Sequence, residues 1–215
     1  MSGKPGLWIK VCGLRTPASI AAAATAGADA VGFVFHQPSP RHLRPEDARE
    51  LAAAVPPGIA KVAVFLHPSQ ELVDAALAAL QPDWVQTDAE DFARLRLPVT
   101  QRVLPVLRTG QAALEARIEQ LGPSSRFMLE SGRSGAGERA DWSEAARLAG
   151  RGQLVLAGGL DTGNVADAIA AVRPFGVDVS SGVESSRGVK DPRVIQEFVR
   201  AARAVEARLA SSSVE

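Results

Sequence analysis

The sequence predicts a single-domain α/β protein whose eight parallel strands alternate with helices and close into a (β/α)8 barrel. Three observations support this fold class. Short apolar runs alternate with helix-forming segments, the alternation fills all 215 residues, and no Pro/Ser-rich linker divides the chain. An open, doubly wound sheet is the alternative, but its dinucleotide-binding form requires a glycine-rich fingerprint after the first strand, where this chain has only Gly13.

The predicted strands are short apolar runs, as expected for parallel strands that are buried on both faces. They comprise residues 8–13, 29–35, 61–66, 84–86, 102–107, 126–130, 154–157 and 177–179. Pro105 weakens the fifth assignment, because a proline removes a ladder donor and normally occupies an edge strand or a bulge.

The predicted helices are bounded by start and stop signals. Thr16 followed by Pro17 is typical of a helix start, and Gly27 of a helix end. Comparable signals place helices at residues 18–26, 45–55, 69–80, 90–95, 111–121 and 141–149, then one between the last two strands and one after them. We expect one domain over residues 1–215, with a tail at 208–215 that frays through its serines.

Composition argues against several classes of partner. The formal net charge is zero and the basic residues are scattered, so we do not expect nucleic acid to bind. No run approaches about 18 consecutive apolar residues and no signal peptide is evident, so we expect a cytoplasmic protein that does not interact with membranes, as a monomer or a homodimer. The single cysteine excludes an internal disulfide. His36, His42 and His67 lack the spacing of metal ligands, so no metal site is predicted.

Two strand exits rich in small residues predict a phosphate site. Gly158 and Gly159 follow the seventh predicted strand, and Gly182 and Val183 follow the eighth, so backbone amides can approach a ligand without intervening side chains. Amides beside a helix start bind phosphate, and barrels of this class place such a site after strands seven and eight. We therefore expect a small phosphorylated substrate. The alternative is that these glycines only form tight turns.

Four side chains are predicted to meet at the carboxyl ends of the strands, where barrel enzymes carry their catalytic groups. Cys12 ends the first strand and Arg41 follows the second, while Glu130 ends the sixth and Asp178 lies in the eighth. A thiol, a guanidinium and carboxyl groups beside a phosphate site suit acid–base chemistry on an anionic substrate. Each residue also has a purely structural alternative, such as an inert buried cysteine or a surface arginine.

Four sets of motifs match a known family in content and in order. They are Lys10-Val-Cys-Gly-Leu14; Val31-Gly-Phe-Val-Phe35 with Ser39-Pro-Arg41; Leu156-Ala-Gly-Gly-Leu160 with Asn164-Val165; and Val177-Asp-Val-Ser-Ser-Gly-Val-Glu184 with Gly188-Val-Lys-Asp191. These motifs, which span nearly the whole chain, resemble those of the phosphoribosylanthranilate isomerase family. The resemblance implies a TIM barrel that catalyses the Amadori rearrangement of N-(5-phosphoribosyl)anthranilate to 1-(2-carboxyphenylamino)-1-deoxyribulose 5-phosphate in tryptophan biosynthesis.

The resemblance implies a role for each matching residue and no metal or organic cofactor. Cys12 corresponds to the general base at C2 of the sugar, Arg41 to the partner of the anthranilate carboxylate, and Asp178 to an aspartate that contacts substrate. The glycine runs correspond to the phosphate site. Because a thiolate is a competent base only where cations or dipoles lower its pKa, we expect the pocket to lower the pKa of Cys12.

Three segments depart from the family pattern. The aspartate that serves as general acid is replaced by Glu130, Val-Gln-Leu-His-Gly is replaced by Val85-Gln-Thr-Asp-Ala89, and Gly-Gly-Thr-Gly is replaced by Gly135-Ala-Gly137. We retain Glu130 as the predicted acid. The departures leave open a paralogous isomerase acting on a related aminoaryl or aminoaldose ribose phosphate. A barrel that binds a phosphorylated ligand without catalysis is a further alternative.

Overall fold

The eight predicted strands close into a parallel barrel in sequence order, which confirms the predicted fold class. The structure, a computed structural model, describes residues 6–132 and 140–211, with side chains described up to residue 208. The barrel strands are β1 (Trp8–Cys12), β2 (Ala30–Val34), β3 (Ala60–Val64), β4 (Trp84–Asp88), β5 (Arg102–Arg108), β6 (Arg126–Glu130), β7 (Gln153–Leu156) and β8 (Gly176–Val179). A short antiparallel hairpin, β9 (Glu184–Ser186) and β10 (Val189–Lys190), follows β8.

Helices connect most of the strands and surround the barrel. They are α1 (Pro17–Ala26), α2 (Pro45–Ala53), α3 (Gln70–Leu80), α4 (Leu114–Leu121), α5 (Trp142–Leu148), α6 (Val165–Val172) and α7 (Pro192–Ser211). The caps at Thr16 and Asp141 accept backbone hydrogen bonds from the first turns of their helices, as the sequence predicts. Helix α7 continues to Ser211 within the expected tail, and residues 212–215 lie outside the described ranges.

Two predicted helices differ from the structure. The one expected over 90–95 is a 3-10 helix, Ala89–Ala93, which begins directly after β4 because that strand continues to Asp88. Helix α4 begins at Leu114 rather than at residue 111, since Ala113 has a left-handed backbone conformation with φ of 54°. The extra length of β4 carries Asp88 to the rim of the barrel.

Pro105 lies inside the barrel wall, although a proline would normally indicate an edge. It pairs with Thr87 of β4, whereas the pairing of β5 with β6 begins one residue later, at Val106 and Met128. The proline thus precedes the first β5–β6 pair, where an amide is not required for that ladder.

The barrel interior is apolar in its middle and polar at its carboxyl end. Buried side chains inside the wall include Leu104, Met128 and Val155, while a larger apolar layer lies between the strands and the helices. Lys10, Cys12 and Asp178 are also buried, and they lie further along their strands, toward the carboxyl end. The apolar layer in the middle of the barrel packs against the polar groups at the carboxyl end.

An aromatic cage around Arg126 closes the amino end of the barrel. Its guanidinium carbon lies 4.7 Å from the ring centroids of Trp8 and Trp84 and 4.5 Å from that of Phe175. Burial, with a smaller effect of Arg102, lowers the pKa of Arg126 to about 10. Its Nε donates to Gln153 Oε1 at 3.2 Å. The cage joins β1, β4, β6 and the residue before β8.

We predict that Arg126→Ala lowers the free energy of unfolding by about 2–4 kcal/mol, because it removes both the cation–π contacts and the packing of the long side chain. Urea denaturation measures the change. Arg102→Ala is the matched control, since Arg102 stacks only on Trp84, at 4.8 Å, and its side chain is largely exposed. We expect it to cost less than about 1 kcal/mol. Equal losses in the two variants would contradict a specific role for the cage.

Candidate active site

A cavity of about 250 Å³ opens among the carboxyl ends of the barrel strands. All four side chains predicted for catalysis or substrate binding line it, namely Cys12, Arg41, Glu130 and Asp178. The barrel therefore brings together residues that are far apart in the sequence. The four predicted phosphate-site residues do not belong to its lining and lie at the neighbouring exits of β7 and β8.

Cys12 ends β1 with its side chain buried against β2. It pairs in register with Gly32, where a Cβ atom would lie 2.9 Å from the Cys12 sulfur and 3.2 Å from Cε of Lys10. Glycine at this position leaves space for both side chains. The Ser180 hydroxyl donates to the Cys12 carbonyl at 3.3 Å, which ties the end of β1 to the residue after β8.

Burial raises the pKa of the Cys12 thiol, so the expectation that the pocket lowers it is wrong for the unliganded protein. The cations Lys10 and Lys190 act in the opposite direction, but Asp178 cancels part of their effect. The sequence indicated cations near the sulfur but neither the depth of its burial nor the anion beside it.

Asp178 lines the cavity and also forms a buried ion pair with Lys10. The Lys10 ammonium donates to Asp178 Oδ1 at 2.7 Å, and the lysine is fully buried. Burial acts to lower the pKa of Lys10, but Asp178 and Cys12 raise it overall, so the side chain is charged. Sequence reasoning assigned no role to Lys10. The signal that identifies it is a lysine inside the apolar strand Trp8–Cys12, two residues before the cysteine and hence on the same face.

Arg41 also has a partner that the sequence did not predict. Its Nε and Nη2 donate to the two carboxylate oxygens of Glu184 at 2.6 and 3.0 Å. Lys190 donates to the same carboxylate at 2.9 Å, and all three side chains are almost completely buried. Burial acts to raise the pKa of Glu184, but the hydrogen bonds from Arg41, Gly188 and Lys190 lower it overall.

This cluster, Arg41–Glu184–Lys190, carries one more positive than negative charge. Because two cations share one anion among almost completely buried side chains, a second anion at Arg41 would balance the charge. The Nη1 group of Arg41 has no hydrogen-bond partner among the described residues, so it can donate to such an anion.

Glu130 ends β6 and lines the cavity half-buried, beside Arg108 in the strand register. Arg108 in turn donates to Asp88 at 2.6 Å, and both of those side chains are mostly buried. Strands β4, β5 and β6 thus present an anion, a cation and the predicted acid in adjacent positions. The departing segment Gly135-Ala-Gly137 lies outside the described residues.

The exits of β7 and β8 lie side by side, joined by a bridge between Asp161 and Gly182. Gly158 and Gly159 have positive φ angles of 90° and 62°, and neither amide donates a hydrogen bond within the described part of the chain. Asn164 holds their loop, since its side chain donates to the Gly159 carbonyl at 2.8 Å.

The two predicted amides after β8 differ. That of Val183 donates to the Ser180 carbonyl at 3.3 Å, and the Val183 side chain is buried, whereas no hydrogen bond from the Gly182 amide is found within the described residues. Of the predicted phosphate amides, those of Gly158 and Gly159 are uncommitted and precede the start of α6.

Within residues 6–132 and 140–211, no group of three or more His, Cys, Asp or Glu side chains is placed to hold a metal ion. His67 instead contacts the carboxylates of Asp88 and Asp91. Among the described helices, none is both long and apolar enough to cross a membrane.

A family model described as N-(5′-phosphoribosyl)anthranilate (PRA) isomerase matches residues 9–201. The chain belongs to this family. It is 42% identical over 211 residues to the N-(5′-phosphoribosyl)anthranilate isomerase of Paracoccus denitrificans, covering 91% of this chain and 97% of the relative. The family assignment agrees with the motifs that contain Cys12, Arg41 and Asp178.

Solved structures of family members have the same fold. The phosphoribosyl anthranilate isomerase from Thermotoga maritima has a TM-score of 0.79 and 32% identity, covering 92% of this chain and 99% of its own. A second, with a TM-score of 0.74 and 31% identity over the same shares, is a phosphoribosyl anthranilate isomerase in complex with reduced 1-(o-carboxyphenylamino)-1-deoxyribulose 5-phosphate. The similarity extends over nearly the whole barrel.

We predict that Glu184→Gln lowers the free energy of unfolding by about 3–5 kcal/mol, because it leaves Arg41 and Lys190 buried without their shared anion. Chemical denaturation near pH 7 measures the loss. The pKa of Glu184 is lowered from its ordinary value of 4.5, so the advantage of the wild type is complete above that pH and disappears as the pH falls through the lowered value.

Glu115→Gln is the matched control for this prediction. Glu115 also bridges two arginines, Arg147 and Arg151, at 3.0 and 2.9 Å, but its side chain is about half exposed. Solvent screens such a pair, so the control should cost less than about 1 kcal/mol. Similar losses in both variants would mean that burial of the Glu184 cluster does not determine its contribution.

Proposed function

We propose that this protein catalyses the Amadori rearrangement of N-(5′-phosphoribosyl)anthranilate to 1-(2-carboxyphenylamino)-1-deoxyribulose 5-phosphate, a step of tryptophan biosynthesis. The observation that carries the proposal is one cavity lined by a thiol, a carboxyl and a buried arginine, next to two available glycine amides. Family membership supports the same reaction.

In the proposed mechanism, Glu130 acts first, as the general acid. It gives its proton to the ring oxygen of the ribose while the C1–O bond breaks, and the anilino nitrogen supplies the electron pair that forms C1=N⁺. The ring opens to an iminium ion, and Glu130 becomes a carboxylate. Glu130 is suited to this step because it lies at the rim of β6, on the cavity.

Cys12 then acts as the base. Its thiolate takes the proton from C2, and the electrons of that C–H bond form C1=C2 while the C=N⁺ pair returns to nitrogen. The resulting enolamine becomes the ketone when the C2 hydroxyl gives a proton to the Glu130 carboxylate and C1 takes one from the Cys12 thiol, which returns both residues to their starting forms. No atom is gained or lost overall. Because the steps only shift electron pairs within the substrate and exchange protons with Glu130 and Cys12, the reaction requires neither a metal nor an organic cofactor.

Binding groups surround the two catalytic residues. The cluster Arg41–Glu184–Lys190 has an excess positive charge that suits the anthranilate carboxylate, and the free Nη1 of Arg41 is the donor. Gly158 and Gly159 suit the phosphate, with Gly182 and Val183 as neighbours, and Asp178 suits the sugar hydroxyls. We place the protein in the cytoplasm, as a monomer or a homodimer without nucleic acid or membrane partners.

The decisive measurement is the loss of anthranilate fluorescence when purified protein meets freshly prepared phosphoribosylanthranilate. We expect Cys12→Ala to lower turnover by at least about a hundredfold, since it removes the base, and Cys12→Ser to be almost as slow because a hydroxyl is much harder to ionise. Circular dichroism verifies that both variants fold. Near-wild-type turnover in either would exclude Cys12 as the base, and an inactive wild type would favour a barrel that only binds its ligand.

Glu130 is tested by two substitutions. We expect Glu130→Gln to remove most turnover with little change in affinity, because the amide keeps the shape of the side chain but has no acidic proton. Glu130→Asp should retain partial activity, since it keeps a carboxyl group further from the substrate. Steady-state kinetics separate the effects on kcat and KM. If Glu130→Gln turns over like the wild type, the acid is another group.

A further inference from the structure

Lys10 is a fully buried lysine for which the proposed reaction has no role. Lysine is rarely buried without a specific partner, because removing an ammonium group from water is costly. Here it lies inside the barrel with its ammonium 2.7 Å from Asp178 Oδ1. Both residues of the pair adjoin the cysteine proposed as the base.

The position of Lys10 gives it two competing partners. Lys10 and Cys12 are two residues apart on β1 and therefore point to the same side of the strand. The Lys10 ammonium donates to Asp178, and the Lys10 and Cys12 side chains both pack over the space that Gly32 leaves open. The charge of Lys10 therefore acts on the nearby sulfur and tends to lower the pKa of the thiol. The ammonium thus lies between a carboxylate and a thiol.

We propose that Lys10 is the positioning residue that stabilises the Cys12 thiolate, and that Asp178 controls how much of the ammonium's charge acts on the sulfur. The inference rests on the proposed function, in which Cys12 is the base. On deprotonation the thiol proton leaves to solvent water, and the sulfur gains the hydrogen bond of the ammonium. No bond to carbon changes in this step.

The other charged groups around the sulfur cannot replace Lys10 equally well. Lys190, on β10, acts on the sulfur but donates to Glu184 and to the Ser180 carbonyl. Arg41, in the loop after β2, is held in a bidentate pair by Glu184. On strand β2, the residue that pairs with Cys12 is Gly32, which carries no charge. Lys10 is the cation whose side chain packs beside the sulfur over Gly32 and whose charge lowers the pKa of the thiol most, and Asp178 on β8 is the anion that offsets it.

This arrangement couples substrate binding to activation of the base. When sugar hydroxyls donate to Asp178, they weaken its hold on the ammonium, and the charge of Lys10 then acts more fully on the sulfur. In the unliganded protein the thiol remains protonated, because burial and Asp178 both disfavour the thiolate. A strong base would therefore form chiefly when its substrate is bound.

The test measures the ionisation of Cys12 in the unliganded full-length protein, from the pH dependence of iodoacetamide alkylation. Cys12 is the single cysteine, so the labelling reports on it alone. We expect Lys10→Met to react at least about tenfold more slowly than the wild type at pH 8, and Asp178→Asn at least about tenfold faster, each a shift of about one pKa unit.

The opposite signs distinguish this proposal from a structural role. Both substitutions break the same ion pair, so a pair that only supports the fold would change the reactivity of the sulfur in the same direction in both variants. Lys10→Arg, which keeps the cation, should restore much of the wild-type rate. Changes of one sign, or no change, would overturn the proposal.

A second measurement covers the case in which a variant does not fold. In wild-type protein labelled with ¹³C at the cysteine Cβ, the NMR shift follows the thiol through its titration. Adding reduced 1-(o-carboxyphenylamino)-1-deoxyribulose 5-phosphate should move the midpoint to lower pH, and an unchanged or higher midpoint would overturn the coupling. The fluorescence assay is independent of both experiments. If the wild type is active but the expected changes in alkylation rate and NMR midpoint are absent, this inference alone is wrong. If the wild type is inactive, the proposed function is wrong.

Discussion

Pairing of β1 with β8 closes the barrel, and the site depends on the register of that closure. The register places Lys10 opposite Asp178 and brings the residue after β8 to the end of β1. A shift by one residue would turn Lys10 and Cys12 to the opposite face of the strand, where the apolar layer beneath the helices lies. The contact between the first and last strands therefore fixes the fold and the position of the sulfur together.

Ion pairs between different elements hold the polar end of the barrel in place. Lys10 with Asp178 joins β1 to β8, Asp88 with Arg108 joins β4 to β5, and Arg41 with Glu184 joins the loop after β2 to the hairpin after β8. Each pair satisfies charges that would be costly to bury alone. The charged groups are thus held in position before any ligand arrives, which lowers the reorganisation that a reaction requires.

The sequence predicted the fold well because its signals are local. Apolar runs, caps at Thr16 and Asp141, and the order of strands and helices need only neighbouring residues. The placement of Cys12, Arg41, Glu130 and Asp178 around one cavity followed from the rule that parallel strands end at the same edge. Pro105 was interpreted too strictly, because its effect depends on where the pairing with β6 begins.

What the sequence did not predict depends on contacts between distant residues. Lys10 and Asp178 are 168 positions apart, and Arg41 and Glu184 are 143 apart, so no local pattern reveals either pair. The predicted lowering of the Cys12 pKa was wrong for the same reason, since the depth of burial and the nearby Asp178 carboxylate are properties of the closed barrel. The late start of α4 was missed because it depends on the left-handed backbone conformation of the single residue Ala113.

The cage around Arg126 restricts how ligands enter and leave the barrel. Three aromatic rings and the apolar layer above them fill the axis from the amino end, so the described part of the barrel is a cup rather than a tube. Whatever enters the cavity among the strand ends leaves by the same opening. Substrate and product therefore pass through the same opening, and a product molecule that dissociates slowly prevents the next substrate from binding.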